Sequence, residues 1–243
     1  MDFLANYFGS LNPMSFLSAL PGNIAQGIIW GLMGLGVFLT FKLLNFADLS
    51  VDGSFATGGA VTAVMLINGC PVWATIIVAI LAGLAAGLVT GLLHTLLGIP
   101  DILAGILTQI ALYSINLNIM GKSNLPISYR NYTLVVSASN INMAILVGLG
   151  ICAVVIAAMY WYFGTEQGST IRSTGSNPAM SKAQGININF TKVIALALSN
   201  GLVALSGSLF AQYQGFADIN MGRGAIVIGL AAVIIGEVLG EAI

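Results

Sequence analysis

The sequence predicts an all-α fold, a polytopic bundle of helices that span a membrane. The first observation is composition: 58% of the 243 residues are apolar and only 6% are charged, whereas a soluble domain carries roughly 25% charged residues. The second is the thirty glycines, because small residues let membrane helices approach closely. The third is a series of long apolar stretches separated by polar segments. Lipid is therefore the expected solvent for most of the surface, and we predict one transmembrane domain over residues 1–243.

Seven apolar stretches approach the length of about twenty residues that is needed to cross the ~30 Å hydrocarbon core. They are residues 24–44, 51–67, 71–97, 100–120, 142–163, 190–213 and 222–239. The second and the last are the weakest, so a partial or re-entrant segment is an alternative for each. Residues 1–20 are apolar but contain Pro13, and Pro21 follows directly, which predicts a lead-in or interfacial helix before the first span.

Two polar stretches indicate how the chain is oriented. Residues 121–140 contain Lys122 and Arg130, and residues 164–189 contain Arg172 and Lys182, with Lys192 just beyond. Positive charges favour the cytoplasmic side, so we place 164–189 in the cytoplasm. The N-terminus is then external and Lys42 internal, while Lys122 and Arg130 lie on the external side, against the rule.

A short internal repeat relates the two ends of the chain. Asn45-Phe46-Ala47-Asp48-Leu49-Ser50-Val51 recurs 170 residues later as Gly215-Phe216-Ala217-Asp218-Ile219-Asn220-Met221. Each copy follows an apolar span and precedes a segment rich in Gly and Ala. Because the first copy follows a span that ends inside and the second a span that ends outside, we predict an inverted repeat with halves of about 24–120 and 190–243, a design common among transporters.

Acidic side chains cluster at the first copy of the repeat. Asp48 and Asp52 stand four residues apart before an apolar segment, where a helix N-terminus favours negative charge. One reading is a capped helix entrance. The other is a polar turn that lines a substrate route, because charged residues within a membrane usually face a cavity. In the second copy, Asp218 and Arg223 are five residues apart and are candidates for an ion pair.

The polar stretch 164–189 contains signals for a short helix over residues 178–184. Asn177 is a favoured N-cap, Pro178 suits the first helical position, and Gly185 is a natural terminator. A helix of this length is not stable alone in water, so either it docks against something or it is a flexible surface helix. Ala179, Met180 and Ala183 would give it a small apolar face.

This stretch resembles the cytoplasmic coupling helix of ABC importer permeases, in the branch that includes branched-chain amino acid and ribose permeases. Asn177, Pro178, Gly185 and Ile186 match the pattern of that branch. The opening Gly27-Ile28-Ile29-Trp30-Gly31-Leu32-Met33-Gly34-Leu35-Gly36 and the segment Leu44-Asn45-Phe46-Ala47-Asp48 are also similar to it. The continuation Leu49-Ser50-Val51-Asp52-Gly53-Ser54-Phe55 is similar to a subgroup associated with uptake of tryptophan and tyrosine.

The resemblance implies a transport subunit without ATPase activity of its own. ATP and Mg would be bound by partner ATP-binding cassette subunits, an extracytoplasmic binding protein would deliver the substrate, and a second permease copy, most simply an identical one, would complete the route in a bacterial cytoplasmic membrane. The residues expected to couple to the ATPase are Gly175, Asn177, Pro178, Ala179, Met180, Lys182 and Gly185. The residues expected to line the substrate pathway are Asn45, Asp48, Asp52, Asp218 and Asn220. The substrate would be an amino acid, aromatic for this subgroup, or a similar small solute.

Other functional classes have weaker support in the sequence. An ion-coupled secondary transporter that uses Asp48 and Asp218 is the main alternative. The sequence has no Gly-x-x-x-x-Gly-Lys-[Ser/Thr] phosphate loop and no basic stripe for nucleic acid. It also has no Cys-x-x-Cys motif, so Cys70 and Cys152 are interpreted as core or lipid-facing residues. His94 is interpreted as a packing or lining residue rather than as a metal, cofactor or catalytic group. Members of the branch generally continue with a further span and a cytoplasmic tail, whereas this sequence stops at Ile243, so either it is truncated or its tail differs.

Overall fold

The computed structural model describes residues 13–127 and 134–241 and is mostly helical. A π-helical turn, Leu39–Leu43, continues the first helix. The helices in chain order are α1 (Pro13–Phe38), α2 (Val51–Ile67), α3 (Val72–Leu97), α4 (Asp101–Met120), α5 (Ile141–Phe163), α6 (Glu166–Ser176), α7 (Pro178–Ala183), α8 (Ile188–Gln214) and α9 (Ala225–Glu241). Two three-residue strands are also present, β1 (Asn124–Pro126) and β2 (Phe216–Asp218).

Five of the seven predicted spans are helices that are long and apolar enough to cross a membrane. They are Ala19–Leu43, Val72–Leu97, Asp101–Met120, Ile141–Phe163 and Ile188–Gln214. The other two, α2 and α9, have 17 residues each, which at 1.5 Å per residue is about 26 Å and less than the hydrocarbon thickness. For the second stretch, this length agrees with the alternative of a partial segment.

The separate lead-in helix is not observed in the described residues. Helix α1 runs without a break from Pro13 to Phe38 and contains Pro21 in its interior. A proline at a helix start loses no hydrogen bond, and neighbouring groups in a membrane bundle compensate for the one bond that an internal proline removes. The residues before Pro13 lie outside the described part of the chain, and so does Arg130.

Helix α8 lies at the centre of the bundle and packs against α1, α2 and α3. Small residues allow this close contact: a Cβ atom added to Gly83 of α3 would lie 2.3 Å from the carbonyl oxygen of Asn200. Serine hydroxyls on α8 donate to carbonyl oxygens of α1, with Ser199 to Gly36 at 2.7 Å and Ser206 to Ile29 at 2.6 Å. Both devices are typical of helices packed in a membrane.

The two strands correct the expectation of a purely helical chain. Strand β1 pairs with β2 in an antiparallel register that sets Asn124 opposite Asp218. The backbone N–H of Ile127 also donates to the carbonyl of Gly215 at 2.7 Å. The loops after α4 and α8 are thereby joined at one end of the bundle. Lys122, in the first of these loops, is exposed.

Helix α6 was not anticipated in the polar stretch 164–189. Its first turn is capped by Thr165, whose hydroxyl accepts from the backbone N–H of Gly168 at 3.4 Å. Its inner face buries Ile171 and Thr174. Gly175 lies against the end of the π-helical turn, since a Cβ there would be 1.9 Å from the carbonyl oxygen of Leu43. Helix α6 thus fixes the position at which α7 begins.

Candidate functional site

A buried polar cluster connects the segment before α2 to the centre of α8. The Asp48 side chain is 2% exposed. Its Oδ1 accepts from the backbone N–H of Ser50 at 2.8 Å and from the Ser50 hydroxyl, and its Oδ2 accepts from Asn200 Nδ2 at 2.7 Å. Asn200 Oδ1 accepts in turn from the Ser54 hydroxyl, and the Ser50 Oγ lies 3.1 Å from it. Each oxygen of the carboxylate therefore has a partner, as a buried charge requires.

This cluster lies at mid-depth in the bundle. Asn200 comes twelve residues after Ile188, where α8 begins, and fourteen before Gln214, where it ends. At 1.5 Å per residue it is about 18 Å from the start of a helix that is long enough to cross the membrane. The chain after the first span thus returns to the middle of the bundle before α2 starts.

Asp52 joins the beginnings of the two short helices. It lies in the first turn of α2, and its carboxylate accepts from the backbone N–H groups of Gly224 and Ile226, both at 3.0 Å. Because α9 begins at Ala225, Asp52 caps that helix with an acceptor at its positive end. Asp52 therefore caps α9, whereas the sequence reading had assigned the cap to the helix that follows Asp52, α2.

From this junction the two short helices run toward opposite ends of the bundle. The end of α2 packs with Ile127 and Ala217, beside the two strands. Helix α9 follows α1 toward its last turn, where Glu237 forms an ion pair with Lys42. Two helix N-termini, each carrying partial positive charge, therefore lie close together at mid-depth.

A cavity of about 300 Å³ opens beside this junction. It is bounded by the start of α2, one face of α4 and the segment between β2 and α9. Its polar lining consists of Asp52, Gln109, Tyr113, Asn116, Asn220 and Arg223. The volume is at the lower end of the roughly 300–1,000 Å³ typical of small-molecule sites.

The predicted pathway residues divide between the cavity and other places. Asp52 and Asn220 line the cavity, whereas Asp48 is in the buried cluster. Asn45 is exposed in the preceding turn, with a left-handed φ of 54°. Asp218 Oδ1 accepts from the backbone N–H of Asn220 at 2.7 Å, and the ion pair considered between Asp218 and Arg223 does not form.

Three lining residues on α4 and one after β2 were not assigned to the site from sequence. Gln109, Tyr113 and Asn116 are separated by four and three residues, so they share one helix face. This spacing within an otherwise apolar span is a signal that could have identified them. Arg223 had been considered only as a structural partner of Asp218.

The short helix after α6 has the predicted caps. Asn177 Oδ1 accepts from the backbone N–H of Met180 at 3.0 Å, Pro178 is in the first helical turn, and Gly185 has a φ of +84°. Helix α7 ends at Ala183, one residue earlier than predicted. Only Ser181 is buried, and Met180 is 58% exposed. The predicted apolar face is therefore open.

The His94 side chain contacts Ile99, Lys192 and Phe46. Its Nδ1 is 2.9 Å from the carbonyl oxygen of Ile99, its Nε2 is 2.9 Å from Lys192 Nζ, and its ring meets that of Phe46 edge-on. Since an ammonium group only donates, Lys192 donates to Nε2 and the Nδ1 proton is directed at Ile99. Cys70 and Cys152 are free thiols, and within residues 13–127 and 134–241 no three His, Cys, Asp or Glu residues are grouped to hold a metal ion.

A multi-pass helical bundle with a polar cavity at mid-depth and an exposed short helix defines a membrane transport protein. Residues 22–242 match the family described as branched-chain amino acid transport system / permease component, and the chain belongs to that family. It is a multi-pass permease component of an ABC importer, in which ATP is hydrolysed by a partner subunit rather than by this chain.

Named relatives cover most of the chain. The tyrosine transport system permease protein of Clostridioides difficile (strain R20291) is 45% identical over 224 residues, which are 92% of this chain and 74% of that protein. The D-allose transport system permease protein AlsC of Escherichia coli (strain K12) is 28% identical over 94% of this chain and 71% of its own length. An uncharacterized protein of Rickettsia prowazekii (strain Madrid E), RP368, is 32% identical over 88% of this chain and 75% of that protein. No solved structure matches the chain.

Proposed function

We propose that this permease imports an aromatic amino acid, with tyrosine as the first candidate. The observation that carries the proposal is the 45% identity to a tyrosine transport system permease over 92% of the chain. The sequence segment from Leu49 to Phe55, which indicated the same subgroup, places Asp52 and Gly53 in the wall of the mid-depth cavity. Asp52 and Gly53 therefore belong both to the segment that indicates the substrate class and to the wall of the cavity.

Helix α7 is the coupling helix of this proposal. Its exposed residues Ala179, Met180 and Ala183 offer a small apolar face, and a helix of six residues gains stability from a partner that covers such a face. Gly175 lies against Leu43 at the end of the first span, so a push on α7 would be transmitted through α6 to that span. In this arrangement the loop 164–189 faces the cytoplasm, and the partner ATPase subunits bind ATP and Mg.

The inverted repeat remains part of the proposal, with halves of about 24–120 and 190–243 in one domain over 1–243. In both copies an aspartate accepts from the backbone N–H two residues later, Asp48 from Ser50 at 2.8 Å and Asp218 from Asn220 at 2.7 Å. Each copy precedes one of the two 17-residue helices, and these run in opposite directions. Such paired half-helices are a common way for transporters to build a site at mid-depth.

The proposed assembly contains two permease copies, two ATP-binding cassette subunits and an extracytoplasmic binding protein. Asp52 and Asn220 are the pathway residues that the cavity favours. The other three predicted residues lie outside the cavity. Asp48 and Asp218 would act on the pathway by fixing the backbone N–H groups of Ser50 and Asn220. Asn45 would act through the left-handed turn that it forms. Family membership favours this assembly over the ion-coupled alternative, and Asp48 and Asp218 share no hydrogen bond through which they could act as one coupling pair.

The test is transport of radiolabelled L-tyrosine into proteoliposomes that contain the complete assembly and its binding protein. Uptake should require ATP on the side of the membrane where the ATPase subunits lie. It should persist when ionophores collapse the proton and sodium gradients. Uptake that follows an imposed ion gradient without ATP would overturn the importer. ATP-driven uptake of another solute, with no competition by L-tyrosine, would overturn the aromatic substrate only.

A further inference from the structure

Two opposite charges line the mid-depth cavity without neutralising each other. Asp52 and Arg223 both contribute to its wall, yet they form no ion pair, and within the described residues the Arg223 guanidinium has no hydrogen-bond partner. Charged groups at membrane depth are costly and usually pair or face a functional cavity. Resting on the proposed function, we propose that this cavity is a binding site for the zwitterionic head group of a neutral α-amino acid, with Arg223 binding the carboxylate and Asp52 the ammonium group.

Asn116 supplies an independent indication that a polar ligand belongs here. Its side chain is 0% exposed and lines the cavity, and among residues 13–127 and 134–241 neither its Nδ2 nor its Oδ1 has a hydrogen-bond partner. A buried amide that lacks all partners loses its solvation without compensation. A zwitterion offers what both atoms lack, because its carboxylate accepts from Nδ2 and its ammonium group donates to Oδ1.

The Asp52 carboxylate can still accept hydrogen bonds from an ammonium group, although it also caps α9. Each of its oxygens accepts one backbone N–H, from Gly224 and Ile226, while an ionised carboxylate has about four acceptor positions. The N-termini of α2 and α9 add partial positive charge beside the cavity, which favours the ligand carboxylate near Arg223. The cavity thus has one position for each end of a zwitterion.

The rest of the wall suits an apolar or aromatic side chain. Ala56, Ile110 and the ring of Tyr113 also line the cavity. Apolar walls with a few placed polar groups are the usual composition of a small-molecule site. A ligand that carries only one of the two head-group charges would leave either Asp52 or Arg223 unpaired, so both charges of the amino acid should be required.

Protection of a cavity cysteine tests binding directly. In the complete assembly, with Cys70→Ser and Cys152→Ala, an Ile110→Cys variant would be labelled with a small maleimide in the absence of the binding protein. Millimolar L-tyrosine should slow labelling at least threefold. Tyramine, which lacks the carboxylate, and 3-(4-hydroxyphenyl)propionate, which lacks the amine, should not. Adding Arg223→Gln should abolish the protection by L-tyrosine. Equal protection by all three compounds, protection by none, or a cysteine that no maleimide reaches would overturn the zwitterion site.

A matched pair of asparagine variants separates ligand binding from folding. Asn116→Leu removes an unsatisfied buried amide, so the assembly should keep or raise its melting temperature while uptake falls at least tenfold. Asn118→Leu alters an exposed residue of the same helix and should leave uptake unchanged. If Asn116→Leu transports as wild type does, or if it loses uptake and thermal stability together, Asn116 does not bind ligand.

ATP turnover distinguishes failure of this site from failure of the proposed function. The loaded binding protein should stimulate ATP hydrolysis by the wild-type and the Asn118→Leu assembly equally, to within about twofold, because Asn118 is exposed and lies outside the cavity lining. A wild-type assembly without ATP-driven uptake would refute the importer itself. A wild-type assembly that imports L-tyrosine, together with site variants that import it equally well, would refute only the cavity assignment.

Discussion

Asn200 Nδ2 donates a 2.7 Å hydrogen bond to Asp48 Oδ2 and so joins two segments that are 152 residues apart in the chain. The bond fixes the turn before α2 to the central helix. Because Asp48 is the residue that the two repeat copies share at their centre, this contact also sets the depth at which α2 begins. The position of Asp52, four residues on, follows from it.

Loss of this contact should destabilise the protein. Asn200→Leu removes the donor to Asp48 Oδ2 and the acceptor of the Ser54 hydroxyl, which should cost about 2 to 3 kcal/mol. We expect the melting temperature in detergent to fall by several degrees. Asn189→Leu, at an exposed position of the same helix, is the control and should be near neutral. Equal melting temperatures for the two variants would contradict a structural role for the cluster.

Close packing of α3 on α8 should not tolerate a side chain at Gly83. A Cβ there would lie 2.3 Å from the Asn200 carbonyl oxygen, a backbone atom that cannot move alone. Gly83→Leu should therefore cost at least about 2 kcal/mol through overpacking, seen as reduced yield of folded protein on size exclusion. Gly31→Ala meets nothing within 4 Å and should fold normally. A well-folded Gly83→Leu protein would show that the two helices are not in this contact.

The sidedness of α7 can be measured with single cysteines. In a background with Cys70→Ser and Cys152→Ala, Met180→Cys should react with a membrane-impermeant maleimide in inside-out vesicles and not in right-side-out ones, because Met180 is exposed in the loop assigned to the cytoplasm. Ser123→Cys, exposed between α4 and β1, should show the reverse pattern. Labelling of Met180→Cys from the outside would reverse the topology and remove α7 from contact with any ATPase.

The spans and α7 could be predicted from local sequence signals, whereas features that depend on long-range contacts could not. The Asn177-Pro178 pair and Gly185 determine the ends of α7 through their own backbone preferences, and hydropathy alone identifies the five long helices. Helix α6 was missed because its Ser, Thr and Gly residues have weak helix propensity. It forms where Thr165 caps it and Ile171 and Thr174 find a buried surface.

The candidate site was the least predictable feature for the same reason. Pairing of β1 with β2 joins residues that are 90 to 94 positions apart, and Asn116 of α4 lines the same cavity as Arg223, which follows β2. Sequence identified Asn220 because it belongs to the repeat, and Asp52 because it lies four residues after Asp48. It could not show that Asp52 caps α9, since that contact depends on a pairing at a distance of 172 residues.

Replacing both ends of α7 should separate ATP hydrolysis from transport. Pro178→Ala removes the proline that fixes φ in the first turn, and Gly185→Ala forces alanine into the left-handed conformation at φ +84°. The strain at residue 185 costs about 1 kcal/mol. Helix α7 has only six residues, so this cost should disturb its end. The variant should insert normally and retain ATPase activity, while L-tyrosine uptake per ATP hydrolysed should fall at least fivefold. Gly98→Ala imposes the same strain at φ +66° after α3, away from α7, and should leave that ratio unchanged. Normal coupling in the double variant would mean that force reaches the bundle by some route other than α7.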